Sequence, residues 1–95
     1  MRKYEVMVLV DADVDDRKVQ GLVEKHLETI TQGGGTIDNT DFWGRRRLAY
    51  DINKKSEANY AVVQLTAEPA VVSELDRLMS IDESIVRTKV LRRDA

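Results

Sequence analysis

A chain of 95 residues holds one hydrophobic core and no separate catalytic lobe, so every function must fit a single domain over residues 1–95. Hydrophobic residues at 42% and charged residues at 34% make a folded protein with a solvated surface, and a net charge of −2 excludes a uniformly basic nucleic-acid coat. The absence of cysteine removes disulfides, thiolate nucleophiles and zinc–thiolate sites together, as suits a cytosolic protein.

Tyr4 to Val10 is apolar on both alternating faces, which predicts a strand in the middle of a sheet. Its run Val6-Met7-Val8-Leu9-Val10 is far short of the ~20 residues of a membrane span, and no signal-peptide pattern opens the chain, so a cytoplasmic location is expected. Asp11-Ala12-Asp13-Val14-Asp15-Asp16 then supplies capping carboxylates, and Val19, Leu22, Val23, Leu27 and Ile30 recur at helical spacing. Gly33-Gly34-Gly35 stops that helix. Thr36 to Ile52 suits a long strand with Gly44 at a bend or bulge, Leu48, Tyr50 and Ile52 on one face, and Arg45, Arg47 and Ala49 on the other.

Asn53-Lys54-Lys55-Ser56-Glu57 reads as a polar turn and Asn59 to Thr66 as a third strand, closing a hairpin with the second. Pro69 opens a second helix with Val71, Val72, Leu75, Leu78 and Met79 as its apolar positions. Ile85 to Arg92 is the last strand, with Val86, Thr88 and Val90 expected on the core face. The resulting order β-α-β-β-α-β predicts a split βαβ sheet of class α+β, with strands one and three central, two and four at the edges, both helices on one face and the other face open.

The basic residues are segregated. Arg2 and Lys3 precede the first strand, Arg45, Arg46 and Arg47 lie on the second, and Arg87, Lys89, Arg92 and Arg93 follow on the fourth. Arg87 and Lys89, with Arg45 and Arg47, are expected to project from the helix-free face as a cationic surface, where a guanidinium can hold two phosphate oxygens or stack on a base. Charges on edge strands also have a simpler use, which is to block edge-to-edge aggregation. Tyr4, Trp43, Tyr50 and Tyr60 could stack on bases, although aromatics at strand positions mostly pack. The third strand carries one aromatic, Tyr60, and lacks the dense signature of an RNA-recognition motif.

Other apparent sites fail on their chemistry. Asp11, Asp13 and Asp15 mimic a calcium loop, but Asp16 stands where glycine is needed and Leu22 where the bidentate glutamate belongs, so helix capping is the better reading. The triple glycine follows a helix and cannot form a nucleotide phosphate loop. His26 lies on the apolar stripe of the first helix, which points to packing. An acylphosphatase-like hydrolase would need a phosphate cradle where Asp11 to Asp16 sit, and their charge has the wrong sign. A metabolite-sensing regulatory module of the same topology is the alternative function, although no pocket is specified.

The segment Gly44-Arg45-Arg46-Arg47-Leu48-Ala49-Tyr50-Asp51-Ile52-Asn53 resembles the signature of a ribosomal family, the sixth protein of the bacterial small subunit. Met1-Arg2-Lys3-Tyr4-Glu5-Val6 and Val86-Arg87-Thr88-Lys89-Val90 are similar to that family at both ends, so the resemblance spans the chain. It implies a ferredoxin-like fold, no enzymatic activity, no cofactor and no small-molecule substrate. It also implies binding to the central domain of small-subunit ribosomal RNA as a heterodimer with the eighteenth small-subunit protein. Carried over by position, the resemblance favours Arg2, Tyr4, Arg45, Arg46, Arg47, Arg87 and Lys89 as RNA- or partner-binding surface, and Arg92 and Arg93 extend the same edge. A basic partner would supply much of the phosphate neutralisation that an acidic protein lacks.

Overall fold

The computed structural model describes residues 1–52 and 55–93. In chain order its elements are β1 (Arg2–Asp11), α1 (Asp16–Gln32), β2 (Thr36–Ile52), β3 (Lys55–Ala67), α2 (Pro69–Ser80) and β4 (Ile85–Arg92). The strands form one antiparallel sheet in the order β2-β3-β1-β4, so the most apolar strands are central, as their two-sided patterning requires. The expected polar turn is shorter than its sequence suggests. Residues 55–57 already belong to β3, and 53 and 54 lie outside the described residues.

Capping and spacing account for the helices. The Asp15 carboxylate accepts from Arg17 N at 2.9 Å at the start of α1, and the Asp11 carboxylate accepts from Asp13 N in the turn before it. Gly34 takes φ +87°, a left-handed conformation in which a Cβ is strained, and this lets the chain reverse after α1. Val19, Val23, Leu27 and Ile30 of α1 and Val72, Leu75 and Met79 of α2 are buried on one face of the sheet. There they meet Tyr4, Val6, Val8 and Val10 of β1 and Ala61, Val63 and Leu65 of β3. Full burial of each such aliphatic side chain contributes about 1.5–3 kcal/mol, so this layer holds the fold together.

The opposite face is not bare. Leu9, Leu48 and Ala58 form a second buried cluster there, with Met7, Tyr60 and Val86 packed against it. Val86, expected in the main core, belongs to this cluster because the β1–β4 register shifts between Leu9↔Arg87 and Val10↔Ile85. Val86 is the extra residue of a bulge, which re-aims it to the other side.

Candidate docking surface

The phase of β2 decides which arginines reach which face. Its register with β3 shifts between Ile37 and Asn39 and again between Phe42 and Gly44, leaving Asp38 and Trp43 as extra residues. Each insertion inverts the alternation beyond it. At the second, Gly44 adopts φ +80°. Ile37 pairs with Leu65 and Phe42 with Ala61 on the helix side, and after Trp43 the sequence of faces is reset.

Arg45 therefore pairs with Asn59, whose neighbour in phase is the core residue Ala61, and lies on the helix side of the sheet. Its Nη2 donates to the Ala12 carbonyl at 2.9 Å, tying β2 to the loop before α1. Arg47 stands opposite Glu57 on the same side. The expectation that Arg45 and Arg47 project from the helix-free face is thus overturned, because Leu48, with which they alternate, is buried in the second cluster on that face and not in the main core. Arg46 takes that position instead, opposite Ala58 of the second cluster.

Between Arg47↔Glu57 and Ile52↔Lys55, β2 has four residues, Leu48 to Asp51, where β3 has only Ser56. These residues bow out of the ladder and lean over the helix-free face. Leu48 is buried against Leu9 and Ala58, and the Tyr50 hydroxyl accepts from Arg87 Nη1 at 3.0 Å. That bond reaches from one edge strand to the other across β3 and β1. Beneath and beside the strap lies a groove of about 240 Å³ lined by Met7, Leu9, Leu48 and Tyr60, with Arg87 and Lys89 on its rim. Arg87 and Lys89 pair with Leu9 and Met7, so both face this groove as expected. Trp43 stacks on Tyr60 with ring centroids 6.1 Å apart and planes 4° from parallel, and its indole remains 46% exposed.

Two of the expected surface residues are occupied elsewhere. Tyr4 shares the phase of Val6 and Val8 and is buried at 7% exposure in the main core, so its ring is a packing group and not a stacking surface. Arg93 is a clamp. Its Nε donates to the Tyr4 carbonyl at 2.9 Å, its Nη1 to Gln64 Oε1 at 3.3 Å, and its Nη2 to both the Asp38 carboxylate at 2.7 Å and the Leu65 carbonyl at 2.9 Å. Hydrogen bonds from Thr66 and Arg93 hold the Asp38 carboxyl below the usual carboxylate range. Arg2 and Arg92 are exposed at the far end of the sheet, where they pair with Ala67 and Tyr4. The nine positions are therefore distributed over both faces and one end, and they do not make a single patch.

His26 reaches beyond packing. Its Nε2 lies 2.6 Å from the Asp82 carboxylate in the α2–β4 turn, and the other oxygen of that carboxylate accepts from Ser84 N. Burial raises the Asp82 pKa, but the hydrogen bonds from His26 and Ser84 outweigh it and hold the carboxyl below its ordinary value. No periodicity in the sequence pairs these residues. The Arg93 clamp and the strap of residues 48–51 are equally silent in the sequence, apart from the apolar Leu48 that follows three arginines.

A small α+β sandwich whose helix-free face carries an apolar groove flanked by Arg87 and Lys89 belongs to the class of small binding proteins. The family model described as Ribosomal protein S6 matches residues 3–92. Small ribosomal subunit protein bS6 of Cutibacterium acnes is 61% identical over 92 residues, covering 97% of this chain and 96% of that protein. That of Micrococcus luteus is 55% identical, with 97% and 91% covered. The crystal structure of 30S ribosomal protein S6 from Thermotoga maritima superimposes with a TM-score of 0.90 at 29% identity, covering 98% of this chain and 88% of that one. The C-terminal domain of the MgtC protein from Mycobacterium tuberculosis, at TM-score 0.63 and 15% identity over 97% and 87% of the two chains, shares the fold alone.

The chain belongs to the ribosomal protein S6 family. It is a structural, non-enzymatic component of the small ribosomal subunit in the bacterial cytoplasm, with a ferredoxin-like fold, and it binds small-subunit ribosomal RNA within the ribosome.

Proposed function

We propose that the chain binds the central domain of small-subunit ribosomal RNA together with the eighteenth small-subunit protein, and that the helix-free face is where the partner protein docks. The observation that carries this reading is the groove over Met7, Leu9, Leu48 and Tyr60 with Arg87 and Lys89 on its rim. Apolar area of this kind suits a protein partner, and the flanking cations suit anionic groups that come with it. Arg46 on one face of β2 and Arg45 and Arg47 on the other let the same hairpin meet RNA from both sides. Arg2 and Arg92 extend the cationic surface at the far end of the sheet. Shape and phosphate contacts dominate such binding, and a basic partner offsets the net charge of −2.

The test is binding to a central-domain RNA fragment, with and without the eighteenth protein, across a range of salt. Tight binding is expected only with the partner present. Arg46→Ala together with Arg47→Ala should reduce the salt slope by about 2 while the fold survives. An unchanged slope, or equally tight binding without the partner, would overturn the reading.

A further inference from the structure

The strap and Arg87 together conceal the centre of the helix-free face. Leu48 to Asp51 face only Ser56 across the hairpin, so lifting them away breaks little of the β2–β3 ladder. What holds them down is the contact of Leu48 with Leu9 and Ala58 and the bond from Arg87 to the Tyr50 hydroxyl at 3.0 Å. Tyr50 is 65% exposed, and the groove of about 240 Å³ beside it shows that the strap covers the apolar strip without filling the space above it. Elements with few buried contacts and exposed hydrogen bonds are the ones that open locally, well below the cost of global unfolding.

We propose that Leu48–Asp51 is a clasp, closed over an interaction surface in the free protein and displaced from it when the partner seats. The proposal rests on the reading that this face docks the partner protein. Opening uncovers Leu9, Ala58 and Val86 as a continuous apolar strip and frees the Arg87 guanidinium next to Lys89. The partner segment that fits is one with an apolar side chain followed closely by a carboxylate. The apolar group replaces Leu48. The carboxylate takes Arg87 from a neutral phenol, and charge-assisted hydrogen bonds are roughly twice as strong as neutral ones. Binding then matches the apolar contact of the closed clasp and exchanges its hydrogen bond for a stronger one, and the cationic rim selects the segment by sign.

Because the chain has no cysteine, a single thiol reports the opening cleanly. Leu9→Cys places it under the clasp, and Val63→Cys places it in the core on the helix side as a reporter of global unfolding. Should Leu9→Cys fail to fold, Ala58→Cys in the same cluster serves instead. The Leu9→Cys thiol is expected to label much faster than the Val63→Cys thiol. Adding Tyr50→Phe, which removes only the hydroxyl, should speed labelling under the clasp about 5-fold and leave the core thiol unchanged, as loss of one exposed hydrogen bond of about 1 kcal/mol predicts. Equal labelling rates at the two sites, unmoved by Tyr50→Phe, would overturn the clasp. With the eighteenth protein, Tyr50→Phe should tighten binding by up to the same factor, since more of the protein is already open. Weaker binding would mean that the strap is itself part of the interface and would overturn displacement. The labelling needs no partner, so its failure leaves the docking reading standing, and absent binding with normal labelling refutes docking alone.

Discussion

Replacing Arg93 by methionine keeps most of the aliphatic stem and removes the guanidinium, which separates a clamp from an RNA contact. The guanidinium donates to two backbone carbonyls, of Tyr4 and Leu65, and to Gln64, joining residues of β1 and β3 to the end of β4. At about 0.5–1.5 kcal/mol for each net hydrogen bond, these sum to roughly 2–3 kcal/mol. The ion pair with Asp38, open to water at both ends, adds little. For a domain of this size, 1 kcal/mol moves the melting temperature by about 4–8 °C, so Arg93→Met should lower it by roughly 10–20 °C. Calorimetric or circular-dichroism melting in moderate salt measures this directly. At a temperature where both proteins are folded, the salt slope of RNA binding should be the same for wild type and variant. A melting temperature within about 2 °C of wild type, or a slope lowered by ~1, would show that Arg93 meets phosphate and that the clamp is incidental.

His26→Gln should cost about 1–2 kcal/mol, since it weakens a partly buried, charge-assisted bond to Asp82, and denaturant titration at pH 6 reads the loss. Asp82 has a folded pKa below its ordinary value of 3.8, so its stabilisation is whole above about pH 4 and is lost as pH falls further through the folded value. Asp82→Asn should accordingly be destabilised at neutral pH and should flatten the acid limb of the stability profile below pH 4. Gly44→Ala puts a Cβ on a residue with φ +80° but into open space, so the expected cost is backbone strain of about 1–2 kcal/mol, with no clash; a neutral result in thermal melting would contradict the strain. Arg45→Ala should speed amide exchange in the loop of residues 11–15, which its bond to the Ala12 carbonyl holds, with little effect on the core amides.

The topology was legible because periodicity is a local property. Val6, Val8 and Val10 alternate, Val19, Val23, Leu27 and Ile30 recur at helical spacing, and their burial follows the predicted faces. Tyr4 belongs to the same alternation, and its burial follows from that phase. The faces of Arg45 and Arg47 were not legible in this way. Alternation counted from Leu48 as a main-core residue assigns them to the helix-free side, but Leu48 is itself buried in the second cluster on that side, so the same alternation puts both arginines on the helix side. The bulge beside Gly44 is marked by its glycine, whereas nothing in the alternation marks the one at Asp38. The bulge at Val86 is equally unmarked. The Arg93 clamp and the His26–Asp82 pair bring together residues 55 and 56 positions apart, which only the folded chain can do.

The extra residue at Trp43 makes chain length, more than side-chain identity, the quantity under constraint in this hairpin. A substitution there alters one stacking contact. A one-residue deletion would turn Arg46, Leu48 and Tyr50 to the helix side and Arg45 and Arg47 to the open side, inverting the arm while leaving almost every letter of its signature in place.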